Sequence, residues 1–220
     1  ASPIKTLSIL FFLTSSFAQL INSEIHFLDN NPPFWISSNS NGIYSKGSIT
    51  RFKISDELEI LNYGAEIIFP LNQIEEPLFN QAYLRLIKNN FYFQIGKKSN
   101  QLKYNDLSSG SLVESANATP ISKILISSMN YNKISFFKID FQYLVKISHG
   151  WVKNPQYIKN PFLHQKSINI KKVFSENSHI NLGLDHVVIW AGETTQHGEQ
   201  PARLSDYFRV IFAMPGSQNS

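Results

Sequence analysis

The stretch FKIDFQYLVKI, residues 137–147, alternates apolar and polar side chains and decides the fold class. Its odd positions are all apolar: Phe137, Ile139, Phe141, Tyr143, Val145 and Ile147. Its even positions are polar apart from Leu144: Lys138, Asp140, Gln142 and Lys146. Successive side chains of a β-strand point to opposite faces, so a period of two predicts a strand. Its apolar face meets either a protein core, with the charges in bulk water, or lipid, with the charges in a water-filled lumen.

The same alternation recurs along the chain and predicts an antiparallel all-β protein. Asn89-Asn90 stands between the strand patterns of residues 82–88 and 91–98, which indicates a tight hairpin. In residues 179–190 one face carries mostly apolar side chains together with His186: Ile180, Leu182, Leu184, Val188 and Trp190. Residues 99–130 lack this pattern, and we expect an irregular segment there with a short helix in ISKILISS, residues 121–128.

Composition narrows the class of protein and of partner. The chain has 220 residues, a formal charge of +4, 13% aromatic residues and 16% charged residues, against roughly 25% charged in soluble domains. Its basic residues are scattered, so no nucleic-acid partner is predicted, and a mildly basic surface favours acidic glycans or phosphate head groups. The absence of cysteine excludes disulfides, thiolate metal sites and cysteine nucleophiles.

The first residues, ASPIKTLSILFFLTSSFAQ, have the three-part layout of an export signal. Lys5 precedes an apolar run over residues 7–13, and Ser16 and Ala18 are placed as a cleavage site before Gln19. The run is shorter than the roughly 20 residues of a transmembrane helix. We therefore predict a signal peptide over residues 1–18 and one β domain over residues 19–220.

Strand length bears on which solvent meets the apolar face. Eleven residues at about 3.4 Å extend roughly 37 Å, which a tilt near 45° projects to about 26 Å. The apolar band of an outer-membrane barrel is about 25 Å tall. An outer-membrane β-barrel is favoured over a soluble sandwich by the predicted export signal, by the long alternating strands and by the absence of an apolar helix long enough to span a membrane.

Motifs for chemistry are absent or incomplete. Residues 42–48, GIYSKGS, have the glycine spacing of a phosphate-binding loop, but Ser48 stands where lysine is required. Five of the six histidines fall between His149 and His197 without zinc-ligand spacing. No G-x-S-x-G nucleophile elbow occurs. We predict no cofactor, no metal and no catalytic site. A Ser/His/Asp set assembled from distant positions stays open, which keeps an envelope hydrolase as an alternative.

Aromatic residues at the ends of predicted strands have two interpretations. Trp151, Tyr157, Phe162 and Trp190 would form the aromatic girdle of a membrane interface. Alternatively, their rings would stack on sugars while neighbouring basic and polar side chains bind hydroxyls or carboxylates. On this second interpretation the candidate glycan-binding residues are Trp151, Lys153, His164, Lys166 and Trp190.

Three stretches resemble the Wzi-like capsule-assembly family of outer-membrane barrels. LSSGSLVESANATPISKILI, residues 107–126, resembles its G-S-L-x-x-S-x-N-A-x-P-x-P-K segment, with Ser122 in place of the second proline. HGWVKNPQYIKNPFLHQKSINIKK, residues 149–172, resembles its H-G-x-x-x-N…N-x-x-L-H-x-K block. GLDHVVIWAGETTQHGEQPARLSDYFRV, residues 183–210, resembles its G-x-x-H-x-x-x-W-x-G…G-x-x-P block, with Ala191 where glycine is usual.

The resemblance implies a non-enzymatic role in the Gram-negative outer membrane, in assembly or surface retention of capsular polysaccharide, by binding the glycan as a lectin does. Family members continue for further strands, so we expect the chain to be the N-terminal part of a larger barrel. Outer-membrane lipid and, during biogenesis, the barrel-assembly machinery are the other expected partners. In such a barrel Phe137, Ile139, Phe141, Tyr143, Val145 and Ile147 face lipid, and Lys138, Asp140, Gln142 and Lys146 face the lumen. A porin-like channel is the remaining alternative.

Overall fold

The computed structural model describes residues 6–10, 20–27, 43, 48–71, 77–99, 118–136, 139–153 and 157–215. These residues form antiparallel β-sheet with one short helix, which confirms the all-β prediction. The described strands do not form a closed barrel. The chain divides into two compact units: residues 1–85 with 96–120, and residues 86–95 with 121–220.

The first unit is built from consecutive strands, each hydrogen-bonded to the next. They are β1 (Thr6–Leu10), β2 (Leu20–His26), β3 (Ile49–Glu57), β4 (Leu61–Pro70) and the first part of β5 (Leu78–Lys88). Strand β1 lies inside the predicted signal peptide and pairs with β2 from Thr6 opposite His26 to Leu10 opposite Asn22. The signal peptide stays a prediction.

The hairpin at Asn89-Asn90 is confirmed and joins β5 to β6 (Phe91–Lys97). Asn89 has φ 56°, in the left-handed region that asparagine tolerates better than most residues. The Asn90 amide donates to the Asn130 carbonyl oxygen and to Asn132 Oδ1, both at 2.9 Å, so the turn is tied to the strands that follow.

The second unit contains the longest strands and the helix. Its main sheet orders β7 (Ser122–Ser128), β9 (Ile139–Trp151), β11 (Phe162–Ser175) and β12 (Ser178–Trp190), with β8 (Asn132–Phe136) also paired to β9. A small second sheet joins β10 (Ile158–Lys159), β13 (Glu193–Thr194) and β14 (Gly198–Glu199). Helix α1 spans Leu204–Ile211.

The helix expected in residues 121–128 is wrong, because Ser122–Ser128 is strand β7. It pairs with β9 from Ser122 opposite Trp151 to Ser127 opposite Lys146. Three β-branched isoleucines lie in this stretch, and such side chains pack well on a pleated sheet but lose rotamer freedom in a helix. Most of the irregular segment that precedes it, residues 100–117, lies outside the described residues.

The alternation of the opening stretch is confirmed by the strand register. Tyr143 of β9 lies opposite Ile170 of β11, which lies opposite Leu182 of β12. We call the apolar side chains that share this face the apolar belt: Ile139, Phe141, Tyr143, Val145, Ile147, Ile168, Ile170, Ile180, Leu182 and Leu184. Asp140, Gln142 and Lys146 share the opposite face, whereas Phe137 and Lys138 lie outside the described residues.

On β9 and β11 the apolar face is more exposed than the polar face, whereas β12, at the edge of the described sheet, is exposed on both faces. Seven belt side chains are 38% to 69% exposed, with Leu182 and Leu184 the most exposed. On the opposite face Ser148 and Gln165 are buried, and the Ser148 hydroxyl donates to Gln165 Oε1 over 3.1 Å. In a water-soluble sheet the apolar side chains are ordinarily the ones removed from water, and buried polar groups need hydrogen-bond partners.

Polar groups are also buried in the first unit, around Glu66. Its side chain is 1% exposed, and its carboxylate accepts hydrogen bonds from Arg51 Nε, from Asn80 Nδ2 at 2.7 Å and from Gln81 Nε2 at 2.7 Å. Arg51 also donates to Glu24 over 3.3 Å. The buried charge is therefore paired and hydrogen-bonded, which is the condition under which burial of a carboxylate is tolerated.

Lys98, just after β6, makes the stability of the protein sensitive to alkaline pH. Burial lowers the pKa of its ammonium to about 8, helped by repulsion from Arg85 and Lys53 and opposed by Glu57. Its Nζ lies 4.1 Å from the centre of the Tyr83 ring. Between pH 8 and the ordinary value of 10.5 the unfolded chain binds more protons than the folded one, so this residue's contribution to stability rises with pH.

We therefore predict that Lys98→Met raises the midpoint of denaturant unfolding at pH 7, because the variant no longer buries a charge. The difference from the parent protein is expected to shrink above pH 8 and to vanish near pH 10.5. Lys88→Met, at an exposed position, is the matched control and is expected to leave the midpoint unchanged at pH 7 and near pH 10.5. A gain that is independent of pH would contradict the assignment.

Candidate functional site

Aromatic and histidine side chains gather where the apolar belt ends. In register, Trp151 of β9 lies opposite Phe162 of β11 and Phe162 opposite Trp190 of β12, while His149 lies opposite His164. Tyr207 of α1 packs over them. We call the following set the aromatic cluster: His149, Trp151, Phe162, His164, His186, Trp190 and Tyr207.

The rings of the aromatic cluster touch one another closely. His149 is the hub, with ring centres 5.0 Å from Trp151, 5.3 Å from Phe162 and 5.0 Å from Tyr207. Tyr207 stacks on Trp190 with centres 5.3 Å apart and planes inclined by 16°. Aromatic pairs at such distances contribute about 0.5–1.5 kcal/mol each beyond the area they bury. The cluster therefore holds α1 against the end of the sheet.

Local signals explain why α1 begins and ends where it does. The Asp206 carboxylate accepts a hydrogen bond from the backbone N–H of Arg203, the residue before the helix, at 3.0 Å. At the other end Ala213 has φ 54°, and the N–H of Met214 bonds to the Arg209 carbonyl oxygen at 2.8 Å. This pattern of hydrogen bonds at the end of the helix satisfies carbonyl groups that would otherwise stay unpaired. The Lys166 amine donates to the Ile211 carbonyl oxygen and ties the helix to β11.

Several polar atoms of the cluster are buried without a hydrogen-bond partner among the described residues. They are His149 Nδ1, both ring nitrogens of His164, His186 Nδ1 and Trp190 Nε1. An unsatisfied buried donor or acceptor costs roughly 1–3 kcal/mol. The Tyr207 phenol is also taken out of water, and burial raises its pKa.

Two clefts flank α1, and Trp190 lines both. The first, about 600 Å³, is lined by apolar residues such as Ile158, Val188, Trp190 and Met214 together with six polar or charged side chains, for which we call it the polar cleft: His186, Thr194, His197, Gln200, Asp206 and Arg209. The second, about 510 Å³, is mostly apolar, and we call it the apolar cleft: Ile124, Ile126, Ile147, His149, Trp151, Phe162, Trp190, Leu204 and Tyr207, with Arg203 among its lining residues.

A tight turn after β12 shapes one wall of the polar cleft. Ala191 and Gly192 have φ values of 58° and 83°. A Cβ on Gly192 would lie 2.6 Å from the Lys159 carbonyl oxygen, so only glycine fits there. The left-handed conformation of Ala191 accounts physically for a preference for glycine at that position. The Gly192 carbonyl accepts from the Gln200 N–H at 2.7 Å, which places the segment bearing Thr194 and His197.

Four of the five predicted glycan-binding residues come together at this end of the sheet. Trp151 is 41% exposed in the apolar cleft, and Trp190 lines both clefts. Lys166 is occupied by the Ile211 carbonyl, and His164 is 0% exposed, so neither is open to a ligand in this structure. Lys153 is exposed beyond the end of β9 and lines neither cleft.

Tyr207, Asp206 and Arg209 were missed from the sequence. All three lie on α1, whose eight residues make little more than two turns. A pattern that short cannot be distinguished from a loop by hydrophobic period. The one available signal was an acidic residue three positions after Arg203, which matches the spacing of a helix-start motif but lacks its usual serine or threonine.

The described part of the chain contains neither a group of metal-binding side chains nor a membrane-spanning helix. There, no three histidine or carboxylate side chains are grouped so that they could hold a metal ion. Likewise, none of the described residues forms a helix with the length and apolarity needed to cross a membrane.

Comparison with known proteins returned no matching family model, no matching curated protein and no matching solved structure. The resemblance to the Wzi-like family therefore stays a prediction.

Proposed function

We propose that this chain is part of an outer-membrane β-barrel that binds capsular polysaccharide at the α1 end of its second unit. The exposure of the apolar belt carries the proposal. Isoleucine and leucine side chains of the belt are exposed, whereas Ser148 and Gln165 on the opposite face are buried. An isolated exposed leucine needs no explanation, but a contiguous apolar patch on this scale is typical of a surface that meets lipid or a partner.

Energetics favour lipid as the solvent of the belt. Taking one large aliphatic or aromatic side chain out of water stabilises by about 1.5–3 kcal/mol. The seven exposed belt residues left in water would forgo much of that free energy, a sum comparable to the total stability of a domain. In lipid the same side chains are at no disadvantage, and the hydrogen bonds between paired strands satisfy the backbone, as closure into a barrel would do for every strand.

The length of β12 fits a bilayer as well. From Ile180 of the apolar belt to Trp190 of the aromatic cluster, β12 extends about 34 Å at 3.4 Å per residue, which a tilt near 40–45° projects to about 25 Å. Lys166 and Lys172 flank Ile168 and Ile170 on β11, and both amines bond to backbone carbonyls, of Ile211 and Asp140 respectively. Lysines whose stems cover apolar surface while the amine reaches polar groups are typical of membrane interfaces.

The polar cleft has the chemistry of a sugar site. Trp190 supplies an apolar ring face to this cleft. Around it, Thr194 and Gln200 can donate or accept hydrogen bonds, and Arg209 donates only. A concave site with an aromatic face and a few convergent polar groups suits a ligand that presents hydroxyls on a C–H framework. Nothing in this arrangement calls for a nucleophile, and we propose a non-catalytic role.

The resemblance to the Wzi-like family supplies the biological setting of the proposal. It supports a location in the Gram-negative outer membrane, assembly or surface retention of capsule, and insertion by the barrel-assembly machinery. A porin-like channel is the second candidate, favoured by the polar face that carries Lys146. Liposome conductance that changes with Lys146→Glu would support the channel.

Trp190→Ala is predicted to weaken binding of purified capsular polysaccharide at least tenfold, since an aromatic contact is worth roughly 1.4 kcal/mol or more in a desolvated site. Binding would be measured on the full chain in phosphatidylcholine nanodiscs by surface plasmon resonance. Tyr157→Ala is the control, because Tyr157 is the most exposed aromatic side chain among the described residues and lines neither cleft.

Equal affinity of the parent protein, Trp190→Ala and Tyr157→Ala would rule out the polar cleft as the glycan site. Failure of the folded parent chain to enter lipid at all would rule out the membrane part of the proposal.

A further inference from the structure

We propose that the two clefts together bind a lipid-linked glycan, with its sugar in the polar cleft and an acyl chain in the apolar cleft. This inference rests on the proposed function, because it takes the belt to be in lipid and the polar cleft to hold sugar. It adds that the ligand is an amphiphile held by both of its ends.

The apolar cleft is continuous with the apolar belt. Ile147 belongs to the belt and also lines the cleft, and its cross-strand partner Ile126 lines it too. Both side chains are exposed, by 38% and 49%. A chain leaving the bilayer along this face would therefore meet Ile126, Ile124 and the ring of His149 before it reached Trp151. The volume of about 510 Å³ falls within the 300–1,000 Å³ typical of small-molecule sites.

Trp190 is a shared wall of the two clefts. This side chain lines both, and Tyr207 stacks on it at 5.3 Å, so a ligand that occupied both clefts would pass the edge of this ring pair. On one side of that point lie Thr194, Gln200 and Arg209, and on the other lies the apolar wall. Hydrogen-bonding side chains are therefore more numerous in the polar cleft than in the apolar cleft, which suits a molecule with a sugar head and a hydrocarbon tail.

Simpler ligands match only half of this arrangement. A free polysaccharide would fill the polar cleft and leave the apolar cleft without an occupant of its own. A phospholipid would fill the apolar cleft but would bring few hydroxyls to Thr194, Gln200 and Arg209. Leaving such polar groups unpaired costs free energy on binding, so the lipid-linked glycan is the ligand that satisfies both clefts.

The test uses the full chain in phosphatidylcholine nanodiscs and a monoglycosyl diacylglycerol with brominated acyl chains as the probe. Bromine quenches tryptophan fluorescence at contact, and Trp151 and Trp190 line the apolar cleft. We expect the glycolipid to quench at mole fractions at least tenfold lower than brominated phosphatidylcholine. Leu204→Glu places a charge in the apolar cleft and is expected to remove that preference.

Ser205→Glu is the matched control, since it adds the same charge at the neighbouring, exposed residue of α1, which lines neither cleft. It is expected to keep the preference. Binding of water-soluble capsular polysaccharide by Leu204→Glu is expected to stay within twofold of the parent, because the polar cleft is untouched.

Equal quenching by the two brominated lipids would overturn the inference, as would an equal loss in Leu204→Glu and Ser205→Glu. In either case, binding of free polysaccharide that depends on Trp190 would leave the proposed function standing. Loss of polysaccharide binding in the parent protein, with the chain embedded in lipid, would instead count against the proposed function.

Discussion

Leu182→Arg is expected to lower the free energy of unfolding by about 2–4 kcal/mol when the protein is folded in a bilayer. Leu182 is 69% exposed and lies opposite Ile170, which lies opposite Tyr143 at the middle of the β9 part of the belt. In water an arginine at so exposed a position would be tolerated within about 0.5 kcal/mol. The size of the loss therefore reports which solvent meets the belt.

Asn181→Arg is the matched control, because Asn181 is the neighbouring residue of β12 and points to the opposite face. This substitution is expected to lower the free energy of unfolding by less than about 1 kcal/mol, as on the lumen side of a barrel. Phe141→Arg and Gln142→Arg repeat the comparison on β9. Urea unfolding in liposomes, followed by tryptophan fluorescence, would measure all four variants. Equal losses of unfolding free energy on the two faces would contradict the assignment of the belt to lipid.

Glu66→Leu is expected to destabilise the first unit by about 3 kcal/mol. The substitution removes the acceptor for Arg51, Asn80 and Gln81 at a position that is 1% exposed. Asn80 is itself fully buried, so its amide would lose a partner away from water. The loss is placed at the lower end of the range for broken buried pairs because the Arg51 side chain is 27% exposed and keeps Glu24.

Glu59→Leu, in the exposed turn between β3 and β4, is the control and is expected to change stability by less than about 0.5 kcal/mol. The double variant Arg51→Met with Glu66→Leu should lose less than the sum of the single variants, since it removes both charges of the pair. Denaturant unfolding monitored by circular dichroism gives all four values. Strict additivity would mean that the two side chains do not act as a pair.

Local patterns were enough to predict much of the sheet. The alternation in residues 137–147 predicted two faces, and the register of Tyr143 with Ile170 and Leu182 confirms them. The Asn89-Asn90 hairpin was predictable because asparagine accepts a positive φ in a two-residue turn. Residues 122–128 were mistaken for a helix because a short apolar run has no decisive period, and its pairing with β9 decided the outcome.

The candidate site was only partly predictable. Trp151, Trp190 and His164 were proposed from their position near strand ends, but their convergence depends on the register of β9, β11 and β12. The role of Tyr207 depends on α1, a helix too short to have a clear signal. Burial of His164 also follows from packing, because the cover that α1 provides comes from residues some 40 positions away along the chain.

The sequence by itself determined the all-β class and which side chains share a face, because a period of two is a local consequence of strand geometry. Only the tertiary structure decided which face is covered, which histidines meet, and that α1 leaves a polar cleft on one side and an apolar cleft on the other. Those outcomes depend on strand register and on contacts between distant segments. Neither is encoded in any single stretch of the chain.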